Sequence, residues 1–142
     1  MPHRRPAASV RSVNPAAQGK VYQPVRFVVE PARVAAFAAL FGRADGVPPT
    51  FATAAEFTVL PQVVADPDLA IDFTRVLHGS QEYEHHRPMR VGETLTVTMR
   101  IESVKVKGAN GFLTLLTQIT DANDEPVCTA HSSMVERGGP QA

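Results

Sequence analysis

The sequence lacks any excess of charge of one sign and any long apolar run. Its 14 basic and 14 acidic residues balance, so no global field favours nucleic acid or an anionic membrane. No apolar stretch approaches the roughly 18 residues that a membrane-spanning helix needs. These absences predict a protein that binds neither nucleic acid nor membrane. A neutral pocket ligand or a protein partner is the expected target.

Cysteine is almost absent as well, and tryptophan is missing. The lone Cys128 cannot close an internal disulfide, which favours a reducing, cytoplasmic environment. Its alternating apolar surroundings indicate a small core residue rather than a nucleophile. The histidines, the cysteine and the acids form no cluster with metal-ligand spacing. We therefore expect no metal and no cofactor.

The length of 142 residues predicts one domain. Residues 1–19 carry three arginines, several prolines and no acid, a composition that favours a disordered tail. The predicted domain then covers residues 20–138, and residues 139–142 form a second short tail.

Two helices follow a first strand predicted at Val25–Val29. The first begins at Pro31, since proline at the first helical position sacrifices no needed N–H, and it ends at Gly42. The second, Thr50–Val64, is apolar almost all round and must be buried on most sides. Thr50 is predicted as its N-cap, and Pro61 should kink or end it.

From Ile71 onward the apolar period changes to two, which is typical of strands with one buried face. The first stretch, Ile71–His86, holds one long strand or two strands interrupted at Gly79. Alternation continues from Leu95, the Asn110-Gly111 pair predicts a hairpin turn, and Pro126–Arg137 is the last strand. This order predicts an α+β hotdog fold, in which a curled antiparallel sheet wraps one long central helix. The exposed face and edge of such a sheet predict dimerisation.

Several stretches match a known family. They are PPTF at residues 48–51, LHG followed by EYE at 77–84, HRPMRVGETL at 86–95, and DEPV leading into CTA at 124–130. With them the chain resembles the MaoC-like (R)-specific hydratases and dehydratases. It resembles more closely the N-terminal, FAS1-like type found in actinobacterial (3R)-hydroxyacyl-thioester dehydratases. The resemblance implies an acyl-CoA or acyl-carrier-protein thioester as ligand.

The catalysts of that family carry an Asp-x-Asn-Pro-x-His element in the loop after the first helix. Adding or removing water across the 2,3 bond of an acyl thioester needs this acid/base pair on one water. Here residues 41–49 read FGRADGVPP, so Asp45 is a candidate remnant that no Asn or His follows. The resemblance therefore implies a subunit without the catalytic pair. It would bind the acyl chain as a homodimer, or as a heterodimer whose MaoC-like partner carries Asp and His.

Other candidate site residues follow from position. His78 precedes a glycine in a predicted strand and could supply the missing base, or serve as a wall or interface histidine. The backbone N–H groups of Thr50, Phe51 and Ala52 at the helix start are predicted to contact the thioester oxygen. Glu56 lies on the same helix and is a further candidate for substrate binding.

Two other functions compete with the dehydratase subunit. A hotdog thioesterase would use the same helix start for the carbonyl and an acid, Asp45 or Glu56, to activate water. A non-enzymatic module would keep the acyl pocket without any chemistry. The products separate these alternatives, because a thioesterase releases thiol whereas a hydratase removes the enoyl absorbance.

Overall fold

The computed structural model describes residues 12–40 and 46–138. The elements are the strand β1 (Val25–Val28), the helices α1 (Pro31–Leu40) and α2 (Ala52–Val64), and the strands β2 (Val76–His85), β3 (Thr94–Lys107), β4 (Asn110–Thr120) and β5 (Pro126–Glu136). The predicted order of one strand, two helices and a run of long strands is therefore confirmed. No helix in these two ranges is long and apolar enough to cross a membrane.

The strands of the described chain form one antiparallel sheet in the order β1-β3-β4-β5-β2. The sheet curls around α2, which contacts β1 and β3. Fully buried side chains of α2 meet those of the sheet in a single core, to which Val59, Val63, Leu95, Met99, Ile101, Leu115 and Ile119 belong. The sheet does not close, so β1 and β2 remain as its edges.

The start of α2 differs from the prediction. A single 3-10 turn, Pro49–Phe51, precedes the helix, and no side-chain hydrogen bond from Thr50 caps it. Proline at the first helical position needs no cap for its own nitrogen, which makes a threonine cap dispensable. Pro61 lies inside α2 and does not end it. The carbonyl of Phe57, which would accept the missing N–H, belongs to a residue that is 62% exposed, so solvent can replace that bond.

The predicted start of the ordered domain at Lys20 needs a correction, because residues 12–19 pack against the end of the sheet. Val13 is 1% exposed and belongs to the core. Its N–H donates to Oε1 of the buried Glu136 at 2.9 Å. The N–H of Asp72 donates to the other carboxyl oxygen at 2.8 Å. One buried carboxyl group thus fastens the N-terminal segment and the loop before β2 to the end of β5.

The β3–β4 hairpin is present, but its turn residues are Gly108 and Ala109, since Asn110 already pairs with Lys107. The prediction of Asn110-Gly111 as the turn is therefore wrong. Gly108 has φ +58° and meets the positive-φ requirement of such a turn. Gly111 serves packing instead, because a Cβ there would lie 2.3 Å from Val13 Cγ1.

The HRPMRVGE run forms a structural brace. Nη2 of Arg87 lies 2.6 Å from Glu93 Oε1 and 3.3 Å from Asp121 Oδ2. These contacts tie the connection between β2 and β3 to the turn before β5. Hydrogen bonding from Arg87 holds the pKa of the Glu93 carboxyl below its usual range, although burial opposes the shift.

A second ionic contact secures the segment before β1. The buried Asp66 accepts hydrogen bonds from Tyr22 Oη at 2.8 Å and pairs with Lys20 Nζ, also at 2.8 Å. Burial alone would raise the pKa of the Asp66 carboxyl, but the bonds from Lys20 and Tyr22 hold it below its ordinary value. Asp66 is therefore a charged anchor at the end of α2.

Candidate functional site

A cavity of about 320 Å³ lies between α2 and the edge strand β2. The residues that line it come from both helix and sheet and are Thr53, Glu56, Phe57, Leu60, Phe73, Val76, His78, Gln81, Tyr83, Met99, Leu115, Ser132 and Met134. Thr53, Glu56, Phe57 and Leu60 have the i, i+3, i+4, i+7 spacing of one helical face. The helix thus presents one continuous stripe to the cavity.

A bulge in β2 decides which of its side chains reach this cavity. Pairing with β5 shifts between His78 and Ser80. In a regular strand His78 would share a face with Ser80, but the extra residue places Gln81 on the face of His78 instead. A Cβ on Gly79 would lie 3.2 Å from the carbonyl oxygen of Ser133, a tight contact that favours glycine. The sequence left open one long strand or two strands interrupted at Gly79. The structure shows one strand with a bulge at Gly79.

Glu56 is the centre of a hydrogen-bonded cluster in the cavity and is only 6% exposed. Its Oε1 accepts from Gln81 Nε2 at 2.9 Å, and its Oε2 accepts from Ser132 Oγ at 3.0 Å. Ser132 Oγ also lies 2.6 Å from Gln81 Oε1, and its single hydrogen is donated to one of these two acceptors at a time. Because buried polar groups are costly without partners, these contacts, called here the Glu56 triangle, hold α2, β5 and β2 in fixed positions.

One helical turn earlier, Tyr83 on β2 and Thr53 on α2 share a short hydroxyl–hydroxyl hydrogen bond. Burial raises the pKa of the Tyr83 phenol, and the nearby Glu56 adds to the shift. Tyr83 therefore stays protonated and available as a donor throughout the physiological range. Its ring stacks on His85 with 5.9 Å between centroids.

A second cavity of about 470 Å³ lies at the start of α2. Its lining consists of Val47, Pro48, Pro49, His85, His86, Arg87, Pro88 and Met89. His85 belongs to this cavity and stacks on Tyr83, which lines the first one. Tyr83 therefore lies between the two cavities. His86 is held by its own contact, since its Nε2 is 3.0 Å from Thr129 Oγ1.

The structure brings together some of the residues predicted from sequence. His78 and Glu56 line the same cavity. His78 is exposed, whereas Glu56 is buried and bonds within the chain. Asp45 lies outside the described residues, so its predicted role stays a prediction.

The predicted backbone donors at the start of α2 lie apart from the first cavity. The N–H of Phe51 donates to the carbonyl of Pro48 at 2.9 Å, and that of Ala52 faces the carbonyls of Pro49 and Thr50. Phe51 and Ala52 are also buried. Both N–H groups therefore already have local acceptors. The contact of these groups with a thioester oxygen stays a prediction.

The sequence did not single out Gln81, Tyr83 or Ser132 as site residues. Ser132 sits in a strand that alternates polar and apolar residues, so its inward orientation depends on strand register. Gln81 faces inward only because of the bulge at Gly79. The useful signal was Glu56, the single charged residue on a largely apolar helix, because a buried carboxyl group requires polar partners on the facing strands.

Within residues 12–40 and 46–138, no group of three or more His, Cys, Asp or Glu side chains is placed to hold a metal ion. The lining of the first cavity offers hydrogen bonding and apolar burial to a ligand. Glu56, Gln81 and Ser132 form the hydrogen-bonded part of this lining, and Leu60, Phe73, Val76 and Met134 add apolar side chains to it.

The chain was compared with known protein families and with curated proteins. The family model for the FAS1-like dehydratase domain region matches residues 42–130. A UPF0336 protein of Saccharopolyspora erythraea is 43% identical over 91 residues, which cover 64% of this chain and 58% of that protein. A UPF0336 protein of Leifsonia xyli is 44% identical over 115 residues, which cover 81% of this chain and 74% of that protein. The match to the first relative thus covers less than two thirds of its length.

Solved structures share the fold. The C-terminally truncated HadBC complex, a (3R)-hydroxyacyl-ACP dehydratase of Mycobacterium tuberculosis, superposes with a TM-score of 0.72 at 20% identity, covering 84% of this chain and 96% of that one. An (R)-hydratase from A. caviae involved in PHA biosynthesis gives a TM-score of 0.59 at 18% identity, covering 84% and 96%. These likenesses confirm the predicted hotdog fold.

Proposed function

The chain belongs to the family of FAS1-like dehydratase domain regions, and we propose that it is the substrate-binding subunit of a (3R)-hydroxyacyl-thioester dehydratase. In this role it holds the acyl chain of a CoA or carrier-protein thioester, and a partner subunit supplies the acid/base pair. The proposal places the protein in fatty-acid-type metabolism.

The observation that carries the proposal is the cavity between α2 and β2. Its far end is apolar, with Leu60, Phe73, Val76 and Met134 converging on it. Burying each methylene of an acyl tail there contributes about 0.8 kcal/mol. A cavity of this size and apolar character, with a few fixed polar groups, is what ligand sites share.

The sequence supports a role in which this chain binds substrate and a partner subunit carries the catalytic pair. Residues 41–49 contain one acid, Asp45, and neither the Asn nor the His of the family's catalytic element. Elsewhere in the described chain, Glu56 has a carboxyl group in the cavity, and Gln81 and Ser132 each form a hydrogen bond to one of its oxygens. These contacts fix the carboxyl group between the helix and two strands, which favours a structural role for Glu56.

The free edge of the sheet supports a partner of the same fold. β2 is an edge strand of ten residues, and β5 is its neighbour in the sheet. Such an edge presents unpaired backbone groups to a second strand. Phe57 and Leu77 beside it are 62% and 55% exposed. The cavity lies along this edge, so a partner subunit docked on β2 would stand next to it.

Two assays on the purified chain test the proposal. Calorimetric titration with octanoyl-CoA should detect binding, while hydration of crotonyl-CoA, followed by loss of enoyl absorbance, should stay at the uncatalysed rate. Adding a MaoC-like chain with an intact Asp-x-Asn-Pro-x-His loop should raise activity above that of the partner alone. Normal hydratase turnover by this chain alone would overturn the non-catalytic role, and thiol release would favour the thioesterase.

A further inference from the structure

We infer that Glu56, Gln81 and Ser132 form a polar end wall that limits how far an acyl chain extends along α2. This inference rests on the proposed function and names the residues that set its chain-length preference. It also assigns the direction from which the chain arrives, namely the free β2 edge rather than the start of α2.

The order of contacts along α2 is the first step. Thr53 meets Tyr83, and one turn later Glu56 meets Gln81, so α2 runs antiparallel to β2. Leu60 follows another turn on and lines the apolar end. From Thr53 to Leu60 the helix rises about 10 Å. The polar contacts therefore lie between the start of α2 and the apolar end of the cavity.

Those contacts obstruct a chain that would come from the start of α2. The Glu56 triangle spans the gap between α2, β2 and β5 with polar contacts of 2.6–3.0 Å, two of which share the Ser132 hydroxyl hydrogen. An alkyl chain that separated these groups would leave a buried carboxyl group unpaired and make no hydrogen bond in return. The Thr53–Tyr83 bond closes the same gap one turn earlier.

The other side of the cavity is open. Phe57 lines the cavity yet is 62% exposed, and His78 lines it from β2 and is exposed as well. These two side chains mark a mouth at the free edge of the sheet. A chain that enters there meets the apolar side chains first and the polar wall last. Its thioester then stays on the outer side of the β2 edge, where the proposed partner docks.

The cavity volume indicates the acyl-chain length at which the polar wall is reached. A water molecule occupies about 30 Å³, so a cavity of about 320 Å³ has room for about ten groups of that size. Because each buried methylene tightens binding about fourfold, affinity should rise steeply with chain length. It should then level off near ten carbons, when the tail reaches the wall.

A chain-length series tests the wall. Butyryl-, octanoyl-, dodecanoyl- and palmitoyl-CoA are titrated calorimetrically into the full chain and into Glu56→Ala. The wild type should level off after the octanoyl or dodecanoyl chain. Glu56→Ala removes the wall while Gln81 and Ser132 keep each other as partners, so its affinity for the dodecanoyl chain should exceed that of the wild type by about tenfold or more. The Thr53–Tyr83 bond then sets the next limit.

Two control variants distinguish the loss of the end wall from a general effect of mutation on binding. Glu56→Gln keeps the shape and hydrogen bonds of the wall and should level off like the wild type. Glu82→Ala changes an exposed residue on the opposite face of β2 and should do the same. If Glu56→Ala fails to fold, Gln81→Ala opens the wall from the strand side and should give the same extension.

The outcomes distinguish the two proposals. Two results would contradict the end wall and leave the substrate-binding role intact. One is a wild-type affinity that keeps rising with chain length, and the other is the same dependence of affinity on chain length in Glu56→Ala as in the wild type. No binding of any acyl-CoA at millimolar concentration would instead remove the proposed function, and the end wall with it.

Discussion

Gly111→Ala provides the sharpest test of how the N-terminal segment sits on the sheet. A Cβ at position 111 would lie 2.3 Å from Val13 Cγ1 and 3.7 Å from the Cβ of Glu136. Val13 is 1% exposed and its N–H is bound to Glu136, so it has little room to move. Overpacking of this kind typically costs about 1–3 kcal/mol.

An opposing effect makes the sign of the change in unfolding free energy informative. Alanine in a strand interior loses less conformational entropy than glycine, which favours the variant by about 0.5–1 kcal/mol. If residues 12–19 were not packed on the sheet, only this gain would remain and Gly111→Ala would stabilise the protein. Because the clash is the larger effect, we expect net destabilisation of about 1–2 kcal/mol.

A double-mutant cycle isolates the contact. Val13→Ala alone should cost about 2 kcal/mol through lost burial and a residual cavity. In that background the methyl group of Gly111→Ala partly fills the cavity, so the second change should be neutral or stabilising. The free energy of unfolding is measured from urea midpoints at unchanged m-value. Additive single effects, or a stabilising Gly111→Ala in the wild type, would refute the packing of Val13 against Gly111.

Three further outcomes are expected. Tyr22→Phe removes a donor to the buried Asp66 and should cost about 1–3 kcal/mol in urea unfolding; a neutral result would contradict the anchor. The folded-state pKa values of Asp66, Glu93 and Asp121 are lowered. The contribution of these three carboxyl groups to the free energy of unfolding is therefore complete above the unfolded carboxyl pKa of about 4 and is lost as pH falls through the folded values. Urea midpoints should be level between pH 7 and pH 5 and drop by pH 3. Burial raises the pKa of the Cys128 thiol to about 11, so an aromatic disulfide reagent at pH 8 should label it only after unfolding; prompt labelling of the native chain would contradict its place in the core.

The regular parts of the fold were predictable because each follows one periodic rule. The apolar helix at residues 50–64 had to be buried, and the alternation from Leu95 onward had to form strands with one inner face. Together they require a sheet around a helix. The pattern also located the hairpin, but it could not place the turn, because Gly111 is used for the contact with Val13. A glycine required by packing looks the same in sequence as a glycine required by a turn.

The irregular parts were not predictable, because they depend on partners far away in sequence. Val13 and Glu136 are 123 residues apart, so composition alone assigned the N-terminal segment to a disordered tail. In the site, Glu56 was recognisable as a polar residue on an apolar helix. Its partners Gln81 and Ser132 were not, since a bulge reverses strand parity without changing the apparent pattern.

The cavity side chains belong to other stretches of the sequence than residues 41–49, which correspond to the family's catalytic element, so a chain of this family can keep one without the other. The cavity side chains lie on α2 and the sheet, where they pack into the core, and changes there are costly. An Asp/His pair in a connecting loop contributes chemistry but little burial, so its replacement leaves the core intact. If a partner supplies the pair, as proposed, stability alone preserves the cavity in this chain. The Glu56 triangle fits the same logic, because it fixes the helix to both strands whether or not chemistry takes place beside it.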